Sequence, residues 1–264
     1  TPPLEDHLAR YTLSPELEKI YAHPSELLAV ITSHSGGLIA STCKSSTPEN
    51  AVIRVHTTDA GGAGFAEVAA LKGHSLSVVR MTFSADDQVL VSVGRDRSWC
   101  AFDMNTFETL WVQHKAHARI IWDVSFAPSD FSVERVFATA SRDKTVKIWR
   151  GNKKTWKCVC TVKFAEAVTA CAFVPEMVGE SAVLAVGLEN GRMYILSCLM
   201  GETEFRVLHA FDERITHAEA VNAVGWRPGG GVDGRWEVAS CGDDCSVRIY
   251  TVHFATHGNG EGKH

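Results

Sequence analysis

A pattern of short extended segments and fixed polar residues returns five times along this chain, and that return constrains the fold more than any single stretch. The clearest copy runs Ala116-His117-Ala-Arg-Ile-Ile-Trp-Asp-Val-Ser-Phe-Ala-Pro128 and then Val136-Phe-Ala-Thr-Ala-Ser-Arg-Asp143-Lys-Thr-Val-Lys-Ile-Trp149. The copy before it reads Gly73-His74-Ser-Leu-Ser-Val-Val-Arg-Met-Thr-Phe-Ser84, Val89-Leu-Val-Ser-Val-Gly-Arg-Asp96 and Trp99-Cys-Ala-Phe102. The last reads His217, Val221-Asn-Ala-Val-Gly-Trp-Arg-Pro228, Val238-Ala-Ser-Cys-Gly-Asp-Asp244 and Val247-Arg-Ile-Tyr250. Weaker copies begin at His23 and near Ala165, so successive starts lie 51, 43, 48 and 52 residues apart.

Within each copy the apolar residues form short, often β-branched runs separated by turns, with no sustained helical period. Four such strands make one blade of a β-propeller, and the period is that of the WD40 repeat with loop insertions. The insertions are evident as polar or Gly-rich stretches at 45–50, 58–64, 176–181 and 229–234. The fold expected is all-β: a WD40 propeller of four-stranded antiparallel blades, five of them visible, as part of a seven-bladed ring. Residues 1–15 read as a linker, and the blades fall at about 23–71, 72–114, 115–163, 164–212 and 213–252. Residues 253–264 read as a flexible tail. Residues 16–22 read as an outer strand of either a preceding blade or the last one. The second option closes a five-blade ring, and the first makes the chain part of a larger propeller.

The recurring polar residues have a structural task. The aspartates Asp96, Asp143 and Asp244 belong in the turn between the second and third strands. The histidines His74, His117 and His217 precede the first strand and can reach them. In-strand hydroxyls (Ser92, Thr139, Ser240) and third-strand aromatics (Trp149, with Phe102 and Tyr250 in the other blades) can complete the network. A His–Asp pair suggests a catalytic dyad, but a catalytic pair does not recur once per repeat. Blade four has Asn190 and Leu196 in the turn and aromatic places, and blade one has His56 in the aromatic place.

With 45% apolar and 22% charged residues, composition suits a packed core. A net charge of −5 is the wrong sign for a surface that tracks nucleic acid everywhere. Eight cysteines include no Cys-x-x-Cys pair, so neither zinc nor a disulfide framework is implied, and a reducing compartment fits. No apolar stretch is long enough for a membrane span. Nor does the opening Thr1–His7 resemble a signal peptide. The expected location is cytoplasmic, with the nucleus as a second compartment.

Several segments together go beyond a generic repeat. Pro2-Pro-Leu-Glu-Asp-His-Leu8, Arg119-Ile-Ile-Trp122, Ser141-Arg-Asp-Lys-Thr-Val-Lys-Ile-Trp149, Ala185-Val-Gly-Leu-Glu-Asn-Gly191 and Ala239-Ser-Cys-Gly-Asp-Asp244, in this order, resemble the family of the second subunit of the Elongator complex. The resemblance implies the C-terminal part of the second of two seven-bladed propellers. It also implies a non-catalytic scaffold linking the largest subunit to the catalytic radical-SAM and acetyltransferase subunit, in a complex that modifies wobble uridines of tRNA. The chain is too short for one full ring of that kind.

No catalytic, cofactor or metal site is expected, and no small-molecule substrate. Gly258-Asn-Gly-Glu-Gly-Lys263 lacks the spacing and the Ser or Thr of a phosphate loop, and no nucleophile elbow or zinc-protease motif is present. Recognition then falls to the rims, where loops vary on rigid blades. Arg95 and Arg142 precede the turn aspartates and Arg119 follows His117, so the three share one face. They can pair locally with Asp96, Asp143 and Asp123, or take an acidic protein partner, or contact tRNA. Phe131 and Met177, in the insertions, are candidate exposed anchors for protein. The alternative to an Elongator scaffold is a generic WD40 adaptor, such as a ubiquitin-ligase substrate receptor or a signalling scaffold.

Overall fold

The computed structural model describes residues 18–58, 64–152, 155–231 and 234–254. Among the described residues nineteen strands fall into five antiparallel sheets, each in simple up-and-down order. Blade one is β1 (Leu27–Thr32), β2 (Leu38–Cys43), β3 (Ile53–Thr58) and β4 (Phe65–Leu71). Blade two is β5 (Val78–Phe83), β6 (Val89–Gly94), β7 (Trp99–Asp103) and β8 (Thr109–Gln113). Blade three is β9 (Ile121–Phe126), β10 (Arg135–Ser141), β11 (Thr145–Gly151) and β12 (Trp156–Lys163). Blade four is β13 (Val168–Phe173), β14 (Ser181–Leu188), β15 (Met193–Leu199) and β16 (Arg206–Ala210). Blade five has three strands, β17 (Val221–Trp226), β18 (Arg235–Gly242) and β19 (Val247–His253).

The core lies in the seams between blades, because a strand points alternate side chains to opposite faces. In blade two, Leu90, Cys100 and Phe102 pack toward Ile53, Val55 and Leu71 of blade one. The intervening Val89, Val91, Trp99 and Ala101 pack toward Ile121, Phe137 and Trp149 of blade three. Comparable seams join blades three to four and four to five. A blade with neighbours on both sides is therefore apolar on both faces, and β6 and β7 are buried throughout.

The first strands pack in the order β1, β5, β9, β13, β17 to line the inner side of the arc. The arc is open. Leu27 and Val30 of β1 are 62% and 69% exposed, and Val247 and Ile249 of β19 are 72% and 70% exposed. Residues 18–22 form no strand, which corrects that expectation for the described part of 16–22; residues 16 and 17 lie outside the described residues. Leu-Glu-Lys-Ile-Tyr has strand character, but its described residues make no backbone pairing with a sheet. Glu18 instead accepts a hydrogen bond from the backbone N–H of Phe65 at 2.8 Å, beside blade one and not the last blade. The linker at 1–15 and most of the tail (255–264) also lie outside the described residues.

One irregularity repeats in every blade. The pairing of first and second strands skips Leu28, Val79, Trp122, Thr169 and Asn222, so each is the extra residue of a β-bulge at the same place. Bulges re-aim the side chain they carry.

Candidate functional site

The polar residues of the repeat meet between strands. In blade three, His117 Nδ1 lies 2.9 Å from Asp143 Oδ2 and its Nε2 lies 2.8 Å from Thr139 Oγ1. Trp149 Nε1 donates to the same hydroxyl oxygen at 2.9 Å, completing a four-residue chain. The Asp143 carboxylate also accepts from the backbone N–H of Ala118 and from Thr145 Oγ1. Burial pushes that carboxyl up, but His117 and Thr145 outweigh it and hold it well below the usual range. Burial dominates at His117 itself and lowers the imidazole, with Asp143 pulling the other way.

Blade two places His74 Nδ1 3.0 Å from Asp96 Oδ2 and Nε2 2.8 Å from Ser92 Oγ. Its third-strand aromatic, Phe102, carries no donor, so the chain stops at Ser92. Burial opposes the His74 imidazolium, but Cys100 and the Asp96 carboxylate beside it raise it to about 10. In blade five His217 lies 2.8 Å from both Asp244 Oδ1 and Ser240 Oγ. Tyr250 donates its hydroxyl to the carbonyl oxygen of Ile215 at 2.9 Å. All three histidines are buried within their repeats.

The weaker blades depart further. His23 of blade one lies 2.9 Å from Ser41 Oγ, and His56 is buried in the aromatic place. In blade four the histidine place belongs to Phe164 rather than Ala165. Glu189 N–H bonds the Ala167 carbonyl just as Arg142 N–H bonds that of Ile120, which fixes the alignment. Phe164 packs on Tyr194 with ring centroids 5.3 Å apart, an apolar pair in place of a polar chain.

A second polar group lies on the inner strands. Asp123 of β9 accepts from Cys171 N–H of β13 at 2.9 Å and pairs with Arg80 Nε of β5 at 3.3 Å, tying three blades together. Burial raises the Asp123 carboxyl against the pull of Arg80. This group lines a cavity of about 270 Å³ with Ser125, Cys171 and Ala223. Among the described residues no three His, Cys, Asp or Glu side chains come together as a metal site.

Arg95, Arg119 and Arg142 are exposed on the rim that carries the second-to-third-strand turns. Their local pairing with Asp96, Asp143 and Asp123 is not what the structure shows. Those carboxylates are taken by His74, His117 and Arg80, and no carboxylate among the described residues pairs with the three arginines. Phe131 is a correction too: it is buried, 6.0 Å from Phe205, and Met177 packs on the same cluster. Both fold back because an insertion of this length can return its apolar residues to the seam.

Among the described residues no helix is long and apolar enough to cross a membrane. The WD domain, G-beta repeat family matches residues 65–103, 108–150 and 208–251. The chain is 38% identical over 259 residues to Elongator complex protein 2 of Schizosaccharomyces pombe, covering 95% of this chain and 33% of that protein. The Saccharomyces cerevisiae protein of the same name is 38% identical over 261 residues, covering 96% and 32%. The Homo sapiens one is 30% identical over 286 residues, covering 96% and 34%. The chain spans about a third of the length of the curated relatives it matches. With the repeats seen in the blades, this makes the chain a WD40-repeat homologue of the Elongator complex protein 2 family.

Proposed function

We propose that this chain is part of a non-catalytic scaffold that assembles a tRNA wobble-uridine modification complex. In that complex it holds the largest subunit and the radical-SAM acetyltransferase subunit together. The observation that carries this reading is the buried use of the polar residues. The His–Asp pairs of blades two, three and five each stabilise a blade, at sites where water and substrate have little access. Rigid blades with variable rims suit a protein whose task is to position others. The names of its relatives supply the complex.

Affinity capture on the full-length protein tests the reading. Stable co-capture of the largest subunit and the acetyltransferase supports it. Capture of a cullin-linked ligase instead, or of neither subunit, overturns it.

A further inference from the structure

The turn residue before each blade's aspartate place sits at an equivalent position, with its N–H bonded to the carbonyl that precedes the first strand by one residue. These bonds are Lys44 to Glu26, Arg95 to Ser77, Arg142 to Ile120, Glu189 to Ala167 and Asp243 to Ala220, at 2.8–3.0 Å. Read around the rim, the charges are positive in blades one to three and negative in blades four and five. The residue preceding that carbonyl repeats the change, with Arg119 in blade three, Glu166 in blade four and Glu219 in blade five. At these two positions the charge changes sign between blades three and four.

The bulge residues share this face. In blade five the side chains at the two positions touch, Asn222 Nδ2 donating to Asp243 Oδ1 at 2.6 Å. The equivalent pair in blade three is Trp122 and Arg142. The fold makes no evident use of Trp122. The other six tryptophans pack into the seam clusters, whereas Trp122 belongs to none of them and, among the described residues, has no ring contact or hydrogen bond. It is half-buried, at the bulge position whose blade-five equivalent touches the turn residue, and Arg119 and Arg142 of its blade have no carboxylate partner among the described residues.

We propose that Trp122 is the apolar anchor of a docking site for an acidic protein segment. The segment lays an aliphatic or aromatic side chain on the indole and its carboxylates on Arg95, Arg119 and Arg142. A large aromatic flanked by guanidiniums is the composition of an interface centre. The split charge selects the partner. A nucleic-acid strand carries a phosphate at every nucleotide and meets Glu189 one blade on, then Glu219 and Asp243 two blades on. A short acidic segment ends before them, and a basic continuation fits them. This inference rests on the scaffold reading only for the identity of the complex.

The test uses the full-length protein in its purified complex. With Trp122→p-benzoyl-phenylalanine, irradiation is expected to give one crosslink, to a protein segment carrying acidic residues. Adding Arg119→Glu and Arg142→Glu is expected to lower its yield at least fivefold. Hydroxyl-radical footprinting of the unaltered protein requires no variant, and oxidation of Trp122 is expected to fall at least fivefold in the complex. A crosslink to RNA or to a basic segment, no crosslink, or unchanged oxidation overturns the proposal. Failure of the unaltered protein to hold the Elongator subunits overturns the scaffold reading instead, and a crosslink to an acidic segment of any other purified partner still supports this site.

Discussion

Trp149 Nε1 donates to Thr139 Oγ1 at 2.9 Å, and that hydroxyl sits 2.8 Å from His117 Nε2. One buried oxygen therefore links the third strand of blade three to the histidine ahead of its first strand. Leaving a buried polar partner unpaired costs about 1–3 kcal/mol. Thr139→Val is expected to destabilise by that amount, and His117→Phe similarly. In a double-mutant cycle followed by denaturant unfolding, the double variant should lose clearly less than the two single losses added together.

The histidines of blades two and three are expected to differ in charge. His74 has its pKa raised to about 10 and remains imidazolium at neutral pH, whereas His117, lowered by burial, remains neutral. Nitrogen chemical shifts of labelled histidines at pH 7 check this, with His74 expected as imidazolium and His117 as neutral imidazole. The raised group contributes stability that is complete below its unfolded value of about 6.5 and is lost as pH rises toward 10.

The carboxylates act at the other end of the scale. Asp87 is lowered to about 2: burial opposes its charge, but the Ser35 and His34 N–H groups of blade one outweigh it. Asp96 and Asp143 are lowered likewise by their histidines and backbone donors against burial, and Asp244 first by Ser246 and then by His217. A depressed carboxyl stabilises the fold above its unfolded value of about 4, and this is lost as pH falls toward 2. Acid unfolding should begin below pH ~4, and Asp87→Asn should make the loss shallower.

Gly191 holds φ at +83°, and a Cβ there would lie 2.0 Å from the carbonyl oxygen of His217 in the next blade. Gly191→Ala is expected to cost more than 1 kcal/mol, combining left-handed strain of about 1–2 kcal/mol with the clash. Gly225→Ala meets nothing within 4 Å and should be nearly neutral. Thermal unfolding of the two variants side by side measures the difference.

The polar repeat made much of this fold legible, because a histidine, a hydroxyl and an aspartate at fixed offsets mark where strands begin and turn. What sequence could not supply was register. Ala165 was aligned with the histidines, but Phe164 occupies that place, because an aromatic substitute carries no polar mark. Trp122 is re-aimed by a bulge that no residue type announces. Arg95 and Arg142 could be placed on one face from the repeat alone. The occupation of Asp96 and Asp143 by His74 and His117 was legible in the repeat, whereas that of Asp123 depended on Arg80, brought in from β5. Within the strand expected over 16–22, the described residues 18–22 show that alternation proposes a strand and only backbone pairing makes one.

The proposed scaffold role requires the protein to join subunits without chemistry of its own. The direct measurement is wobble-uridine modification in a complex reconstituted from purified subunits, with and without the full-length protein. Omitting it is expected to release the acetyltransferase from the largest subunit and abolish modification, adding it back to restore both, and the protein alone to modify nothing. Modification at full rate without it, or any modification by it alone, would contradict the scaffold role.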